Sequence, residues 1–329
     1  MSLTTVLDRT GTAKVLGPLL ARGGEGEVFA LSDRAEVLVK CYHPEVLDKR
    51  GPQLQAKTEA MIELAAQFRA CAVSWPTANV YNPQRRWIGY AMRRASGVPM
   101  ARLAHAVLYQ KSFPQLDRVR IVGYLRNLLR AVDQLHRMGV RVGDYNFNNI
   151  LCDTSSERVT LIDCDSYQLE HNGQVYPCPV GSPDMTPREH HGQAFERVYR
   201  TPHSECFSVA IVVFKCLMLG RHPYDIVGGE DPVSNLKSGR FAYGRGNTGV
   251  PQGPWYNIWS HMPHRLKDMF ITTFTHGATD IAQRPTLAEW DETLELYLRE
   301  MLKGWHEVAV QPSQPKSKAY RGSRSLAQV

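Results

Sequence analysis

The stretch RVGDYNFNNILCD, at residues 141–153, decides the fold because it joins two polar side chains at a fixed spacing to a short apolar strand. Asp144 is followed five residues later by Asn149, and the predicted strand covers residues 150–152. A carboxylate in such a loop can orient a hydroxyl group and accept its proton, and a side-chain amide oxygen can bind Mg²⁺. The spacing therefore predicts a loop in which Asp144 acts on a hydroxyl and Asn149 holds a metal ion.

A second acidic motif, LIDCDSY at residues 161–167, follows after a short turn. Its first aspartate, Asp163, ends an apolar strand, and this position predicts that Asp163 lies beside Asn149 as a second Mg²⁺ ligand. Two neighbouring carboxylates are costly unless a cation lies between them. Asp165 fits either an additional metal ligand or a turn residue, and we favour the turn.

The segment LARGGEGEVF, at residues 20–29, predicts a glycine-rich hairpin. Glycine has no Cβ and tolerates positive φ, so the backbone at Gly23, Gly24 and Gly26 could close over phosphate groups, with Val28 on the strand that follows. Such a hairpin is by itself usually just a turn. It gains weight only together with the other motifs.

Lys40 lies in the apolar strand EVLVKCY, residues 36–42, where a charged side chain needs a partner. Glu59, nineteen residues further in a predicted helix at 53–71, could pair with it. Glu63 competes for this role, because it lies one helical turn on. A lysine in this position could also be an edge residue whose ammonium group snorkels to solvent.

These pieces, in this order, resemble the protein kinase superfamily. The residues that match its catalytic set are the glycine-rich hairpin, Lys40, Glu59, Asp144, Asn149 and Asp163. The resemblance covers about residues 13–302. It implies an α+β, bilobal protein-kinase-like fold in which ATP and Mg²⁺ bind between a small antiparallel β-sheet lobe with one helix and a larger helical lobe.

The resemblance also implies a role for each matched residue. Lys40 would hold the α- and β-phosphates, and Glu59 would fix Lys40. Asn149 and Asp163 would hold Mg²⁺, while Asp144 would position the substrate hydroxyl. The remaining nucleotide contacts implied by the resemblance are the hairpin residues Gly23, Gly24, Gly26 and Val28, the gatekeeper-like Met92, and the hinge residues Arg93 and Ala95.

Three further residues fit the same pattern in the second half of the chain. Glu189 ends the run GSPDMTPRE at residues 181–189, which resembles the end of an activation segment. Arg284 is its expected partner, and Glu205 stands where the central helix of the family usually carries an aspartate.

Several positions depart from the family pattern. Val142 and Gly143 replace the His-Arg pair before Asp144, so a phosphorylated activation segment lacks that arginine as a docking charge. Asn146 replaces a lysine that often steadies the γ-phosphate, and Cys164–Asp165 replace Phe-Gly. The first glycine of the hairpin is Ala21. These departures affect the expected rate and regulation more than nucleotide binding.

The closer resemblance is to bacterial kinase-like proteins. Some of these carry a helix-hairpin-helix domain, and some belong to signalling triads of a kinase, a phosphatase and a von Willebrand-type protein. The resemblance therefore implies a protein substrate, and a phosphatase or von Willebrand-type partner.

The predicted organisation is an N-lobe at residues 13–95, a C-lobe at 96–303 and a basic, disordered tail at 304–329. Within the N-lobe we expect five antiparallel strands and one long helix at 53–71. Helices are predicted at 99–110, 115–138, 205–219, 264–274 and 286–303, and a surface loop at 225–262.

Charge and cysteine usage narrow the class of protein. The net charge is +7, of which +4 comes from residues 303–329, with five Lys or Arg and one Glu. The basic balance is therefore weak evidence for nucleic-acid binding by the folded body. The seven cysteines form no CxxC pair, which is typical of reduced thiols in a cytoplasmic protein. The most apolar run, at 206–219, is too short to span a membrane and predicts a buried helix.

The sequence thus predicts a cytoplasmic, ATP- and Mg²⁺-dependent Ser/Thr protein kinase of bacterial signalling or stress response. Ser/Thr is favoured because no tyrosine-kinase-type arginine follows Asp144. The main alternative is a pseudokinase that serves as a nucleotide-binding scaffold. An adaptor acting through its basic tail and an AMP-transferring enzyme are further alternatives.

Overall fold

The structure is a computed structural model that describes residues 4–244, 249–251 and 253–316. The first part of the chain is rich in β-strands, and the second part is mostly helical. A short connection after residue 93 joins the two parts.

Six strands of the N-terminal part close into a barrel in the order β1-β2-β3-β4-β6-β5. The five predicted antiparallel strands are present as β2 to β6. The strand β1, which was not predicted, pairs with both β2 and β5 and closes the sheet into a barrel. The barrel interior is apolar and includes Val6, Phe29 and Val39. The strands are β1 (Thr5–Leu7), β2 (Ala13–Arg22), β3 (Gly26–Leu31), β4 (Val37–Tyr42), β5 (Pro76–Tyr81) and β6 (Trp87–Arg93).

One long helix, α1 (Pro44–Glu63), connects β4 to β5. We predicted this helix at 53–71, and both bounds are wrong. The helix starts earlier because Pro44 occupies its first turn, where no backbone N–H is needed. It continues through Pro52 and ends in a series of turns at 64–70.

Two small antiparallel sheets carry the loops of the central motifs. The first has the order β10-β9-β7 and the second β12-β11-β8. A parallel bridge between Val73 and Leu161 ties the segment before β5 to the first sheet. These strands are β7 (Val98–Pro99), β8 (Val140–Arg141), β9 (Ile150–Cys152), β10 (Val159–Leu161), β11 (Gln168–His171) and β12 (Gln174–Tyr176).

The helical part is built around a central helix, α5, whose side chains are almost all buried. A capping box formed by Thr201 and Ser204 starts this helix. The segment predicted as a loop at 225–262 contains two helices, α6 and α7. The helices are α2 (Met100–Leu103), α3 (Leu108–Ser112), α4 (Arg118–Arg137), α5 (Pro202–Leu217), α6 (Pro232–Lys237), α7 (Pro254–His261), α8 (His264–Phe274) and α9 (Leu287–Leu302).

Residues 304–316 pack against the helical part, in contrast to the predicted disordered tail. The Val308 carbonyl accepts a hydrogen bond from the Arg118 backbone N–H at 2.8 Å, and Val310 is buried. Gln311 donates its side-chain amide to the Ala106 carbonyl. These backbone contacts with α4 and its surroundings order the segment. The rest of the predicted tail, 317–329, lies outside the described residues.

Two expectations about the chain as a whole can be compared with the structure. All seven cysteines are buried and free of disulfides, as predicted. None of the helices in the described ranges combines the length and the apolar character that crossing a bilayer requires.

Candidate active site

Lys40 lies on β4 and points into the space between the two parts of the molecule. Its Nζ is 2.8 Å from Asp163 Oδ1 and 2.8 Å from Asp165 Oδ2. Burial alone would lower the pKa of Lys40, but the Asp165 and Asp163 carboxylates outweigh it and raise the pKa. Lys40 is therefore held in its charged form.

Asp165 is the buried partner of Lys40. Its side chain is 4% exposed and also accepts hydrogen bonds from the Tyr42 and Tyr90 hydroxyls, the latter at 2.7 Å. Burial alone would raise the pKa of Asp165, but Lys40 and the two phenols lower it well below its ordinary value. The preference for a simple turn residue at Asp165 was wrong, because four donor contacts fix this carboxylate.

Glu59 does not pair with Lys40, so the predicted ion pair is wrong. Glu59 is exposed on α1 and accepts a hydrogen bond from Gln55 at 2.9 Å. Its competitor Glu63 contacts His171 instead. The reason is the rotation of α1, which turns Lys57 and Thr58 inward rather than the glutamates.

Asp163 and Asn149 come from neighbouring segments. The Ile162 N–H, one residue before Asp163, donates to the Asn149 carbonyl at 2.9 Å. Asp163 has a left-handed backbone conformation with φ 61°, and its side chain remains 45% exposed. An amide oxygen and a partly exposed carboxylate on adjacent segments are the donor types that Mg²⁺ prefers, so these residues fit the predicted metal ion.

Asp144 lies in the same loop and is half-buried. Ser182 belongs to residues 177–189, called here the activation-segment-like region because they include the run at 181–189. It approaches Asp144 with 3.4 Å between Oγ and Oδ1. Burial and the nearby Asp163 raise the pKa of Asp144, while the Ser182 contact opposes this. A carboxylate with a raised pKa is better suited to accept a proton from a hydroxyl.

Glu205 organises the loop that carries Asp144. Its carboxylate accepts the backbone N–H of Val142 at 3.1 Å, the backbone N–H of Gly143 and the hydroxyl of Tyr145 at 3.0 Å. His136 contacts the same carboxylate at 2.7 Å. Although burial acts in the opposite direction, these contacts lower the pKa of Glu205. The carboxylate thus anchors the loop to the start of α5.

Arg200 lies next to Gly143, one of the two residues that depart from the family pattern before Asp144. Its buried guanidinium donates to the carbonyls of Cys178 at 2.9 Å and Val180 at 3.0 Å. Gly143 is required beside it, because φ is 73° and a Cβ there would lie 2.6 Å from Cys178 Sγ and 3.0 Å from Arg200 Nε. The departure at 143 therefore makes room for an arginine that holds the backbone of the activation-segment-like region.

Lys57 holds the same region from the other lobe. Its Nζ donates to the Pro177 carbonyl at 3.0 Å. Burial lowers the pKa of Lys57 to about 8, against smaller opposing effects of Cys178 and Asp165. Helix α1 is thus linked to the region through a lysine rather than through the Glu59–Lys40 pair that the sequence suggested.

The glycine-rich hairpin joins β2 and β3 next to β4. Gly26 is packed so closely against Cys41 that an added Cβ would collide with its carbonyl oxygen, whereas Gly24 has open space around it. None of Gly23, Gly24 and Gly26 adopts a positive φ, so the expected left-handed conformation is not used. Close backbone approach, rather than φ, explains the glycine at position 26.

The remaining predicted nucleotide contacts lie along β3, β6 and the connection. Val28 is directly opposite Lys40 in the β3–β4 register. Met92 is buried in a cluster with Tyr42 and Tyr90 on the same face of the sheet as Lys40. Arg93 and Ala95 line a groove on the connection between the lobes, and their contact with adenine stays a prediction.

The predicted partnership of Arg284 with Glu189 is confirmed. The two side chains form a bidentate pair with 2.6 and 2.8 Å between nitrogen and oxygen atoms. Arg284 is completely buried and also donates to the Gly277 carbonyl at 2.7 Å. The pair ties the end of the activation-segment-like region to the helical core.

No protein-family model matches the chain. A protein named Protein kinase YegI from Escherichia coli O157:H7 is 29% identical over 312 residues, which are 91% of this chain and 47% of that protein. The protein of the same name from Escherichia coli strain K12 is 29% identical over 311 residues, which are 91% of this chain and 46% of that protein.

The chain is similar to protein kinases. This similarity supports a kinase-like superfamily, and the β-rich first part with a helical second part is consistent with a kinase-like fold. The chain spans about half the length of the curated relatives it matches.

Sequence reasoning missed the contacts of three residues in and around the candidate site: Asp165, Arg200 and Lys57. For Lys57, helical spacing could have predicted the buried face of α1. Lys57, Thr58 and Met61 share that face, and Glu59 lies outside it. For Asp165 the signal was the pair of tyrosines two residues from Lys40 and directly opposite it, at Tyr42 and Tyr90. No local pattern points to Arg200, whose contacts span at least 20 residues along the chain.

Proposed function

We propose that this kinase-like chain transfers the γ-phosphate of ATP to Ser or Thr hydroxyls of a protein, with Mg²⁺. The observation that carries the proposal is the convergence of Lys40 and Asp163 at 2.8 Å, with Asn149 on the neighbouring segment and Asp144 in the same loop. A cation, a metal-ligand pair and a proton acceptor around one cleft are the groups that phosphoryl transfer needs.

Each side chain has a distinct role in this proposal. Lys40, fixed by Asp165, would neutralise the α- and β-phosphates. Asn149 and Asp163 would hold Mg²⁺, which supplies charge neutralisation at the phosphate oxygens when bound. Asp144 would orient the substrate hydroxyl and accept its proton. Positioning and electrostatic stabilisation account for most of the catalysis of this reaction, so a small set of well-held groups suffices.

The contacts of Lys40 also favour one alternative, a nucleotide-binding scaffold without transfer. Lys40 is engaged by two carboxylates, and a phosphate would compete with Asp163 for its ammonium group. In the scaffold, the chain would bind the nucleotide but leave it intact. The departures at 142–143, 146 and 164–165 motivate the same alternative.

Incubation with γ-labelled ATP and Mg²⁺ tests the proposal. Wild-type protein should transfer label to itself or to an added protein, and mass spectrometry should find it on Ser or Thr. Lys40→Ala and Asp163→Ala should abolish the transfer, while Glu59→Ala, a charge removal on the exposed side of α1, should not. Nucleotide binding without transfer to any protein would support the scaffold. A protein that gains the mass of AMP but no label, with the γ-label released in pyrophosphate, would replace the reaction by nucleotidyl transfer.

A further inference from the structure

A groove of about 540 Å³ lies behind the connection between the two lobes. Its walls come from the turns after α1, the end of β6, helix α4 and the β9–β10 hairpin. Backbone hydrogen bonds join these walls, since the Ser74 N–H donates to Leu161 and the Leu161 N–H to Ala72, both at 2.8 Å. The Ser74 hydroxyl adds a bond to the Arg93 carbonyl at 2.6 Å. Hydrogen bonds therefore hold the walls of the groove together.

The charged side chains that line the groove are mostly positive. Among the residues that the structure describes, its lining holds a single carboxylate, Asp153, and no lysine or glutamate. That carboxylate is already engaged by Ser155, Ser156 and Arg158. Five arginines line the groove: Arg69, Arg93, Arg94, Arg130 and Arg158.

Three of these guanidinium groups have no anionic partner. The side chains of Arg69, Arg93 and Arg94 make no hydrogen bond or ion pair with any residue in the described ranges. Arg130 shares Asp291 with Arg126 and is 57% exposed. Unpaired like charges around one concave surface raise its positive potential and favour a ligand that carries several negative charges.

The side chains that line the groove also indicate which kind of anion it would bind. Within the described part of the chain, no Trp, Tyr, Phe or His side chain lines the groove, so these residues offer no aromatic stacking surface for a nucleotide base or a single-stranded nucleic acid. The lining also includes small apolar residues such as Ala70, Ala72 and Ala131, and the polar side chains of Gln134 and Thr160. Small residues leave room for an extended peptide backbone, to which amide and hydroxyl groups can hydrogen-bond. Arginine guanidinium groups bind carboxylates in a bidentate manner.

We propose that this groove is a docking site for an acidic peptide segment of a partner protein. The carboxylates of the segment would pair with Arg69, Arg93 and Arg94, and its backbone would lie against the small residues of the lining. The proposal does not depend on phosphoryl transfer, because its evidence comes from the lining of the groove. Arg93 is also a predicted nucleotide contact, so the test below leaves Arg93 unchanged.

Fluorescence anisotropy with a labelled Asp/Glu-rich decapeptide tests the docking site on the full chain. The double variant Arg69→Glu/Arg94→Glu should weaken binding about tenfold or more, which corresponds to about 1.4 kcal/mol. A matched control, Arg9→Glu/Arg86→Glu, changes the net charge by the same amount at two exposed arginines elsewhere and should keep the wild-type affinity. Thermal melts of both variants verify that each remains folded.

Further measurements distinguish an acidic peptide from other anionic ligands of the groove. The Asn/Gln counterpart of the decapeptide should not bind, and added salt should weaken binding of the acidic one. Equal weakening by the groove and control variants would overturn the proposal, because it would indicate a general charge effect. Binding of tripolyphosphate or a DNA oligonucleotide to the groove without binding of the acidic peptide would also overturn it.

Discussion

Lys40 and Asp165 form a buried ion pair with 2.8 Å between Nζ and Oδ2, and their side chains are 9% and 4% exposed. The pair joins β4 to the segment after Asp163. In the sequence-based prediction the anchor of Lys40 was a glutamate on α1. In the structure the anchor follows the predicted metal ligand by two residues, so one short segment both fixes the lysine and carries Asp163.

Replacement of Asp165 by Asn should destabilise the protein, because it leaves the buried Lys40 with Asp163 as its remaining carboxylate partner. Loss of one member of a buried pair typically costs about 3–5 kcal/mol, and the remaining contact with Asp163 places the expected value at the lower end. Denaturant unfolding measures this change. If the proposed transfer is correct, the turnover with ATP falls as well.

Glu59→Gln is the matched control for this variant. Because Glu59 is exposed and contacts only Gln55 among the described residues, its free energy of unfolding should change by less than about 0.5 kcal/mol. A large loss of stability or turnover in Glu59→Gln would show that the helix glutamate does support Lys40 and would contradict the assignment to Asp165.

The sequence predicted the central loops well because their information is local. Asp144, Asn149 and Asp163 lie at short, fixed distances from strands whose apolar residues define them. The ion-pair partner of Lys40 was harder to predict, because it depends on how α1 is rotated about its axis and on which side chains become buried. Glu59 was nineteen residues from Lys40 at a familiar spacing, yet the helix rotation leaves it in solvent.

Strand β1 is a second feature that local sequence could not predict. It has three residues, Thr5–Leu7, and such a short segment has no pattern that separates it from a loop. It is defined by its pairing with β2 and β5, which only the closed barrel provides. Residues 304–316 are likewise held in place by contacts with α4 and α7, two helices that are distant from them in sequence.

Glu205→Ala should disorder the loop that carries Asp144. The variant removes one carboxylate from two backbone N–H groups, the Tyr145 hydroxyl and His136, all in a buried position. A loss of about 3 kcal/mol or more is expected. Hydrogen exchange of the Val142 and Gly143 amides measures it locally, and unchanged protection of these amides would contradict the anchoring role.

Lys57 should make stability depend on pH in the alkaline range. Its pKa is lowered to about 8 in the folded protein, whereas in the unfolded chain it has the ordinary lysine value of 10.5. Between these values the unfolded state binds a proton that the folded state has released, so stability rises with pH in this window. Below pH 8 both states are charged and the full cost of burying the charge, about 3 kcal/mol, is present.

The variant Lys57→Met removes this cost together with one hydrogen bond to Pro177, which contributes about 1 kcal/mol. The variant should therefore be more stable than wild type at pH 7, and the difference should shrink as the pH rises from 8 to 10.5. Urea unfolding of both proteins across this range measures the difference. A difference that does not vary with pH would contradict the buried, weakly basic lysine.

The glycine-rich hairpin offers a pair of nearly identical substitutions. Gly26→Ala should distort the contact between β3 and β4, because the new Cβ meets the Cys41 carbonyl oxygen. Overpacking of this kind typically costs about 1–3 kcal/mol. Gly24→Ala, which has open space and no positive φ, should leave the free energy of unfolding nearly unchanged. Equal effects of the two substitutions in thermal melts would contradict the close packing at Gly26.

A structure of the chain with a non-hydrolysable ATP analogue and Mg²⁺ tests the central claim most directly. We predict that the triphosphate lies between the glycine-rich hairpin and Lys40. The metal ion should be bound by side-chain oxygens of Asn149 and Asp163 at about 2.0–2.1 Å, with the γ-phosphate directed toward Asp144. A nucleotide bound elsewhere, or a metal ion that contacts neither Asn149 nor Asp163, would contradict the account.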